Sequence, residues 1–234
     1  MPPLLLLDLD GTLVDTLGFI IDCFRRSVEP VVKRLPTDEE IVATFGPAEI
    51  ECIARLLARF HQQQLLRSIL QPEHIAGSAA RFHQLYDDGH AAGRVELYPG
   101  MRDVINEAKA NGWALGVFTG KGRASALVTI AHLQLTSLFD VIVTSDDVPH
   151  PKPAPDGVEK AALQAGTICS RTYFVGDNPA DILAGNAAGA VSVAALWGAF
   201  NREETRNAKP AYVLNSPHEL HLLLRNWHLK RNGV

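Results

Sequence analysis

Residues 4–16 read LLLLDLDGTLVDT, and the four consecutive leucines predict a short strand buried on both faces of a parallel sheet. Asp8 and Asp10 follow at once, so two carboxylates lie at the carboxyl end of this strand, the edge where open α/β sheets bind ligands. Gly11 then permits a backbone turn. A single Asp here would be typical of an ordinary polar turn, but the complete pattern indicates a functional site.

The composition is that of an ordinary globular protein. With 234 residues, of which 47% are hydrophobic and 21% charged, the chain can bury one large core or a core with a smaller domain. The net charge of -4 gives no reason to expect a nucleic acid or an anionic membrane as partner. The three cysteines form no C-x-x-C pair, which favours reduced thiols in the cytoplasm over disulfides or a zinc site. We find no pattern of a membrane span, and we expect a monomer or a homodimer.

The next block of the chain has a helical pattern. Apolar residues recur at helical spacing through residues 17–93, Pro30 is expected to interrupt the first helix, and Thr37 is expected to begin another. The block contains no convincing strand. We therefore expect an all-helical domain of residues 17–93, inserted into a core formed by residues 1–16 and 94–234.

Strands and helices alternate after residue 94. Helical patterns separate the predicted strands, which is typical of βαβ units. The expected fold class is therefore α/β, a doubly wound Rossmann-like parallel sheet with helices on both faces and the inserted helical domain. Within the predicted helices, Ile50 and Leu127 are expected to face inward. Five strands are predicted to follow the first: residues 113–118, 141–143, 172–175, 190–196 and 211–214.

Polar residues follow three more of the predicted strands. Thr119 and Gly120 come after the second strand, although a Thr here is also typical of a turn or a helix cap. Lys152 lies alone among four prolines, where a solvated lysine is the alternative. Asp177 and Asp181 follow the fourth strand in the sequence GDNPAD. Their spacing places both on one helix face, which suits a hard cation or, equally, an acidic helix N-terminus.

The order of these motifs resembles that of the haloacid dehalogenase superfamily of phosphotransferases. The chain has a DxDGT stretch, a Thr after the second strand, an isolated Lys and a GDxxxD stretch, in the family's order. The helical insertion and the sequence FTGKGR at residues 118–123 are similar to the branch of phosphoglycolate phosphatases and pyrophosphatases that carry a helical cap. The resemblance implies a magnesium-dependent phosphatase for a small phosphorylated metabolite such as 2-phosphoglycolate.

The resemblance also assigns a role to each motif residue. Asp8 becomes the nucleophile that forms an aspartyl phosphate. Asp10 becomes the general acid and base, oriented by the hydroxyl of Thr12, and this second carboxylate argues against dehalogenase chemistry. Charge on the transferred phosphoryl group is stabilised by three further residues: Thr119, Gly120 and Lys152.

Four aspartates are expected to hold Mg²⁺. Carboxylates that converge on one sheet edge repel one another unless a cation is present, and magnesium is the usual partner at phosphoryl-transfer sites. Asp8 and Asp177 are assigned as side-chain ligands, and Asp10 as a ligand through its backbone carbonyl. Asp181 is assigned as a supporting or conditional ligand.

Substrate contacts are expected from two further places. Gly46, in the sequence FGPAE, resembles part of the family's cap loop, and a plain turn is the alternative. Lys121 follows the second strand, where a solvated lysine is the alternative. Arginines of the helical block are candidate contacts for a substrate carboxylate or phosphate: Arg25, Arg26, Arg55, Arg59 and Arg67.

Three other functions stay open from the sequence. An inorganic pyrophosphatase is suggested by the FTGKGR stretch, and a sugar-phosphate mutase of the β-phosphoglucomutase type shares the motifs. A noncatalytic phosphate-binding module on the same fold is the third, although the intact set of aspartates argues against it. For an enzyme of this kind, we expect the helical block to close over the site by hinges near residues 14–18 and 93–98.

Overall fold

A computed structural model describes residues 1–45, 48–63 and 70–231. A six-stranded sheet forms the centre of the fold, with all neighbouring strands parallel and the strand order β3-β2-β1-β4-β5-β6. This confirms the predicted doubly wound α/β fold. The strands are β1 (Leu4–Leu7), β2 (Ala114–Phe118), β3 (Val141–Val143), β4 (Thr172–Gly176), β5 (Val191–Ala195) and β6 (Tyr212–Leu214).

The described part of residues 17–93 is helical, as predicted. Aromatic side chains fill its interior, and the rings of Phe24 and Phe82 lie with their centroids 4.6 Å apart. The limits of a separate domain at residues 17 and 93 stay a prediction. The helices are α1 (Leu17–Val32), α2 (Asp38–Val42), α3 (Glu49–Gln62) and α4 (Pro72–Ala91).

The two connections to the helical block run side by side. Val14 and Leu97 form an antiparallel bridge, and the backbone N–H of Asp15 donates to the carbonyl of Glu96 at 3.0 Å. The chain therefore leaves the sheet and returns to it at nearly the same place, directly beyond the end of β1.

Helices cover both faces of the sheet. Leu5 and Leu7 of β1 share a core with residues of the helices on one face, and Leu4 and Leu6 share a second core on the other. All four leucines are fully buried, because alternate side chains of a central strand point to opposite faces. The helices after β1 and outside the helical block are α5 (Met101–Ala110), α6 (Arg123–His132), α7 (Asp156–Gln164), α8 (Pro179–Ala187), α9 (Arg202–Asn207) and α10 (Pro217–Arg231). Within the described ranges, no helix is long and apolar enough to cross a membrane.

The structure corrects three details of the sequence interpretation. Pro30 lies inside α1 rather than ending it. It falls in the last turn of the helix, so the hydrogen bond lost with its missing N–H leaves the preceding turns intact. Ile50 is 55% exposed, since the buried face of α3 runs through Cys52 and Ile53 instead. Leu127 is 39% exposed, because its neighbours on α6 supply the buried face.

Replacing a leucine of the central strand should destabilise the protein far more than replacing the exposed Leu127. We expect Leu6→Ala to lower the free energy of unfolding by about 2–5 kcal/mol, since it leaves a cavity in a fully buried core. Leu127→Ala should cost less than about 1 kcal/mol. Urea denaturation monitored by circular dichroism measures both, and equal losses would contradict the assignment of the two side chains.

Candidate active site

The ends of the central strands meet at one cavity of about 490 Å³. Pairing of β1 with β4 continues past the strand end, because the backbone N–H of Asp8 donates to the carbonyl of Val175 at 2.9 Å. This register brings Asp8 beside Asp177. Thr119 and Gly120 reach the same cavity from the end of β2. The sheet order reverses at β1, so the cavity lies where doubly wound folds bind ligands.

Three carboxylates form a compact cluster at this edge. Asp8, Asp177 and Asp181 each offer an oxygen atom, and these atoms lie within 4.8 Å of one another. Gly11 adopts a left-handed conformation with φ of +80° beside them. A Cβ atom at Gly11 would lie 2.4 Å from Asp177 Oδ2, so a side chain would collide with the cluster.

Burial makes this concentration of negative charge unfavourable. Burial raises the pKa of Asp8 to about 7, with Asp181 and Asp10 adding to the effect and Lys152 opposing it. Burial likewise raises the pKa of Asp177 well above its ordinary value, and the neighbouring Asp8 and Asp181 raise it further. Oxygen donors that repel one another in this way suit a hard divalent cation such as Mg²⁺.

Lys152 is the cation within the cluster. Its Nζ lies 3.0 Å from Asp8 Oδ1 and 2.5 Å from Asp181 Oδ1. Burial alone would lower the pKa of Lys152, but the carboxylates of Asp181 and Asp8 raise it above its ordinary value. One ammonium group therefore faces three carboxylates, which leaves charge for a divalent cation to balance.

The prediction that the hydroxyl of Thr12 orients Asp10 is wrong. That hydroxyl donates to Asp177 Oδ1 at 2.9 Å rather than to Asp10, and the side chain is fully buried without lining the cavity. The left-handed turn at Gly11 sends Asp10 and Thr12 in different directions. Thr16, which sequence reasoning missed, donates to Asp10 Oδ1 at 2.7 Å instead. In the sequence, the only signal for Thr16 was its place at the end of residues 4–16.

Lys121 is buried rather than solvated. It is 7% exposed, and its Nζ lies 3.1 Å from Asp10 Oδ2 and 3.8 Å from Glu49 Oε1. The ammonium group also lies 4.5 Å from the ring centre of Tyr86. Burial would lower the pKa of Lys121, but Asp10, Tyr86 and Glu49 together raise it above its ordinary value. Glu49 ends the sequence FGPAE, but that pattern gave no sign of these contacts, because they join segments far apart in the chain.

The other predicted contacts have mixed outcomes. Thr119 lies at the cavity, and its Oγ1 accepts from the backbone N–H of Lys121 at 3.2 Å. Gly46 and Arg67 lie outside the described residues. Of the candidate arginines, Arg55 lines the cavity, whereas three others do not belong to its lining: Arg25, Arg26 and Arg59.

Comparisons with known proteins find one matching family model, a sequence relative and similar folds. Residues 5–195 match the family model described as haloacid dehalogenase-like hydrolase. The chain is 30% identical to pyrophosphatase PpaX of Halalkalibacterium halodurans over 215 residues. The matched region covers 92% of this chain and 93% of the relative. The fold is similar to a predicted phosphoglycolate phosphatase from Haemophilus somnus, with a TM-score of 0.84, 21% identity and coverage of 95% and 97% of the two chains. It is also similar to CbbY from Rhodobacter sphaeroides in complex with phosphate, with a TM-score of 0.78, 24% identity and coverage of 94% and 96%.

The carboxylate cluster predicts a stability that depends jointly on pH and magnesium. A carboxyl group whose pKa is raised by folding stabilises the protein at low pH and loses that contribution as pH rises, for Asp8 between about pH 4 and about pH 7. Mg²⁺ favours the ionised carboxylates. It should therefore raise Tm more at pH 8 than at pH 5. At pH 8, with Mg²⁺ at a hundred times its dissociation constant, we expect Tm to rise by about 5–10 °C.

Differential scanning calorimetry with EDTA or with Mg²⁺ measures this effect. Asp177→Asn should raise the Tm of the metal-free protein at pH 8, because it removes a repelling charge, and should reduce the magnesium effect. The exposed Asp87→Asn variant is the control and should keep the magnesium effect. A magnesium effect of the same size in Asp177→Asn would contradict the assignment.

Proposed function

This chain belongs to the haloacid dehalogenase-like hydrolase family, and on that premise we propose that it is a magnesium-dependent phosphatase that hydrolyses a small phosphate monoester. The observation that carries the proposal is the position of Asp8. It ends the central strand, lines the cavity and has Lys152 3.0 Å from its Oδ1. A carboxylate held in this way can form an aspartyl phosphate.

The proposed reaction has two steps. A carboxylate oxygen of Asp8 attacks phosphorus, the bond from phosphorus to the ester oxygen breaks, and Asp10 gives its proton to the departing alkoxide. Asp10 then takes a proton from the water that attacks the aspartyl phosphate, which releases inorganic phosphate and restores Asp8. Thr16 and Lys121 hold the two oxygens of Asp10, so the acid and base group has a fixed orientation.

Charge on the phosphoryl group is balanced by residues of the same edge. The ammonium of Lys152, the hydroxyl of Thr119 and the backbone N–H of Gly120 are assigned to the phosphoryl oxygens. Mg²⁺ would be held by Asp8, Asp177 and the backbone carbonyl of Asp10, with Asp181 in support, and it supplies positive charge beside the phosphoryl group when bound. We assign Thr12 the indirect role of fixing Asp177.

Closure of the helical block would exclude bulk water from this reaction. The paired connections at Val14 and Leu97 support hinges at residues 14–18 and 93–98.

The name of the relative PpaX supports pyrophosphate as a second candidate substrate, and the likeness to a predicted phosphoglycolate phosphatase suggests 2-phosphoglycolate for an early assay. Release of inorganic phosphate without a bisphosphate activator would separate hydrolysis from mutase chemistry. A cytoplasmic location and a monomeric or homodimeric state stay predictions.

Replacement of the proposed nucleophile tests the mechanism. Asp8→Asn should lower kcat for p-nitrophenyl phosphate with Mg²⁺ by about 10³-fold or more, because an amide oxygen cannot form the aspartyl phosphate. Asp87→Asn, an exposed change on α4, should keep kcat within about threefold of the wild type. Steady-state phosphate release measures both. An Asp8→Asn variant with a near wild-type rate would refute the covalent mechanism.

A further inference from the structure

Glu49 brings an incompletely satisfied carboxylate from the helical block into the catalytic cavity. It is the first residue of α3, is 7% exposed and lines the cavity. Its Oε2 accepts a hydrogen bond from the backbone N–H of Gly122 at 3.1 Å. Its Oε1 accepts no hydrogen bond from the described residues, and Lys121 Nζ is 3.8 Å away. A buried carboxylate oxygen in this state favours a ligand that donates a hydrogen bond.

The cations that line the cavity are already engaged. Among its described lining residues, these are Lys121, Lys152 and Arg55. The two lysines lie against carboxylates of the core, and Arg55 pairs with Glu51 at 2.6 Å. A second anionic group that reached Glu49 would therefore meet its carboxylate with no unpaired side-chain cation among the described lining residues. Negative charge beside Glu49 is unfavourable for that reason.

The remaining wall of the cavity is apolar. Residues of α1 and α2 supply one side of it, and Phe200, in the loop after β5, supplies another while 53% exposed. An exposed phenylalanine at a cavity mouth provides contact area for carbon atoms of a ligand. The apolar lining residues of the helical block are Leu17, Ile20, Phe24, Val42, Phe45 and Cys52.

We propose that Glu49 is a specificity-determining residue, which selects a phosphate monoester of an uncharged alcohol that carries a second hydroxyl group. That hydroxyl donates to Glu49 Oε1, and the carbon skeleton packs against the apolar wall. The inference rests on the proposed phosphatase function and narrows its substrate class. It separates this chain from an enzyme for pyrophosphate or 2-phosphoglycolate, because both of these carry a second anionic group.

Three small phosphate esters test the inference in the wild-type protein. 2-Hydroxyethyl phosphate and 2-phosphoglycolate differ in whether the end of the leaving group is a hydroxyl or a carboxylate, and propyl phosphate lacks both. With Mg²⁺, kcat/KM should be highest for 2-hydroxyethyl phosphate, and about tenfold or more above that for 2-phosphoglycolate. Propyl phosphate should fall between them. A preference for 2-phosphoglycolate would overturn the inference without any variant.

Glu49→Gln assigns the preference to this side chain. Glutamine keeps the size and an acceptor oxygen but removes the charge, so the ratio of kcat/KM between the hydroxyethyl and glycolate esters should fall about tenfold. Because both esters are measured on each protein, a general loss of activity cancels in the ratio. Glu73→Gln removes an exposed charge elsewhere in the helical block and should leave the ratio unchanged.

The possible failures are distinguishable. An unchanged ratio in Glu49→Gln, with phosphate still released, would overturn the role of Glu49 and leave the phosphatase proposal standing. No phosphate release from the three esters or from p-nitrophenyl phosphate would overturn the proposed function and this inference with it.

Discussion

Mutual repulsion among three carboxylates at the end of the central strand is the constraint on which the site depends. The parallel register of β1 and β4 forces Asp8 and Asp177 together, and Asp181 approaches them from the first turn of α8. Each charge is costly because it is buried, and the single ammonium of Lys152 balances only part of the total. The fold therefore maintains an arrangement that a divalent cation and a phosphoryl group can complete. Such stored electrostatic cost is typical of sites organised for function rather than for stability.

One backbone turn divides the aspartates into two environments. Gly11 adopts a left-handed conformation that only a residue without a side chain fits beside Asp177. On one side of it, Asp10 turns toward the hydroxyl of Thr16 and the ammonium of Lys121. Asp8 instead faces other carboxylates in a buried position. Two chemically identical groups, two residues apart, thereby acquire different surroundings, which suits the roles of nucleophile and acid–base group proposed for them.

The helical block contributes residues to the cavity. Glu49 and the ring of Tyr86 both contact Lys121, which in turn contacts Asp10. A hydrogen bond of 2.5 Å between the hydroxyl of Tyr86 and Thr129 Oγ1 of α6 holds the tyrosine in place. In the proposed mechanism, the sheet edge supplies the groups that act at phosphorus, and α1, α2 and α3 line the part of the cavity that would hold the leaving group. This division gives a physical reason why related folds with different helical blocks can serve different substrates.

The sequence by itself determined the sheet, the helical block and the identity of the acidic cluster, because these depend on local patterns. A run of leucines defines a buried strand, and residues that follow parallel strands must meet at one edge. Only the tertiary structure decided which groups touch. Thr12 turned to Asp177 and Thr16 to Asp10, Lys121 proved buried, and Glu49 entered the cavity from a segment 73 residues away in sequence from Gly122. Contacts between distant segments depend on how whole elements pack, and no local pattern of residues encodes that geometry.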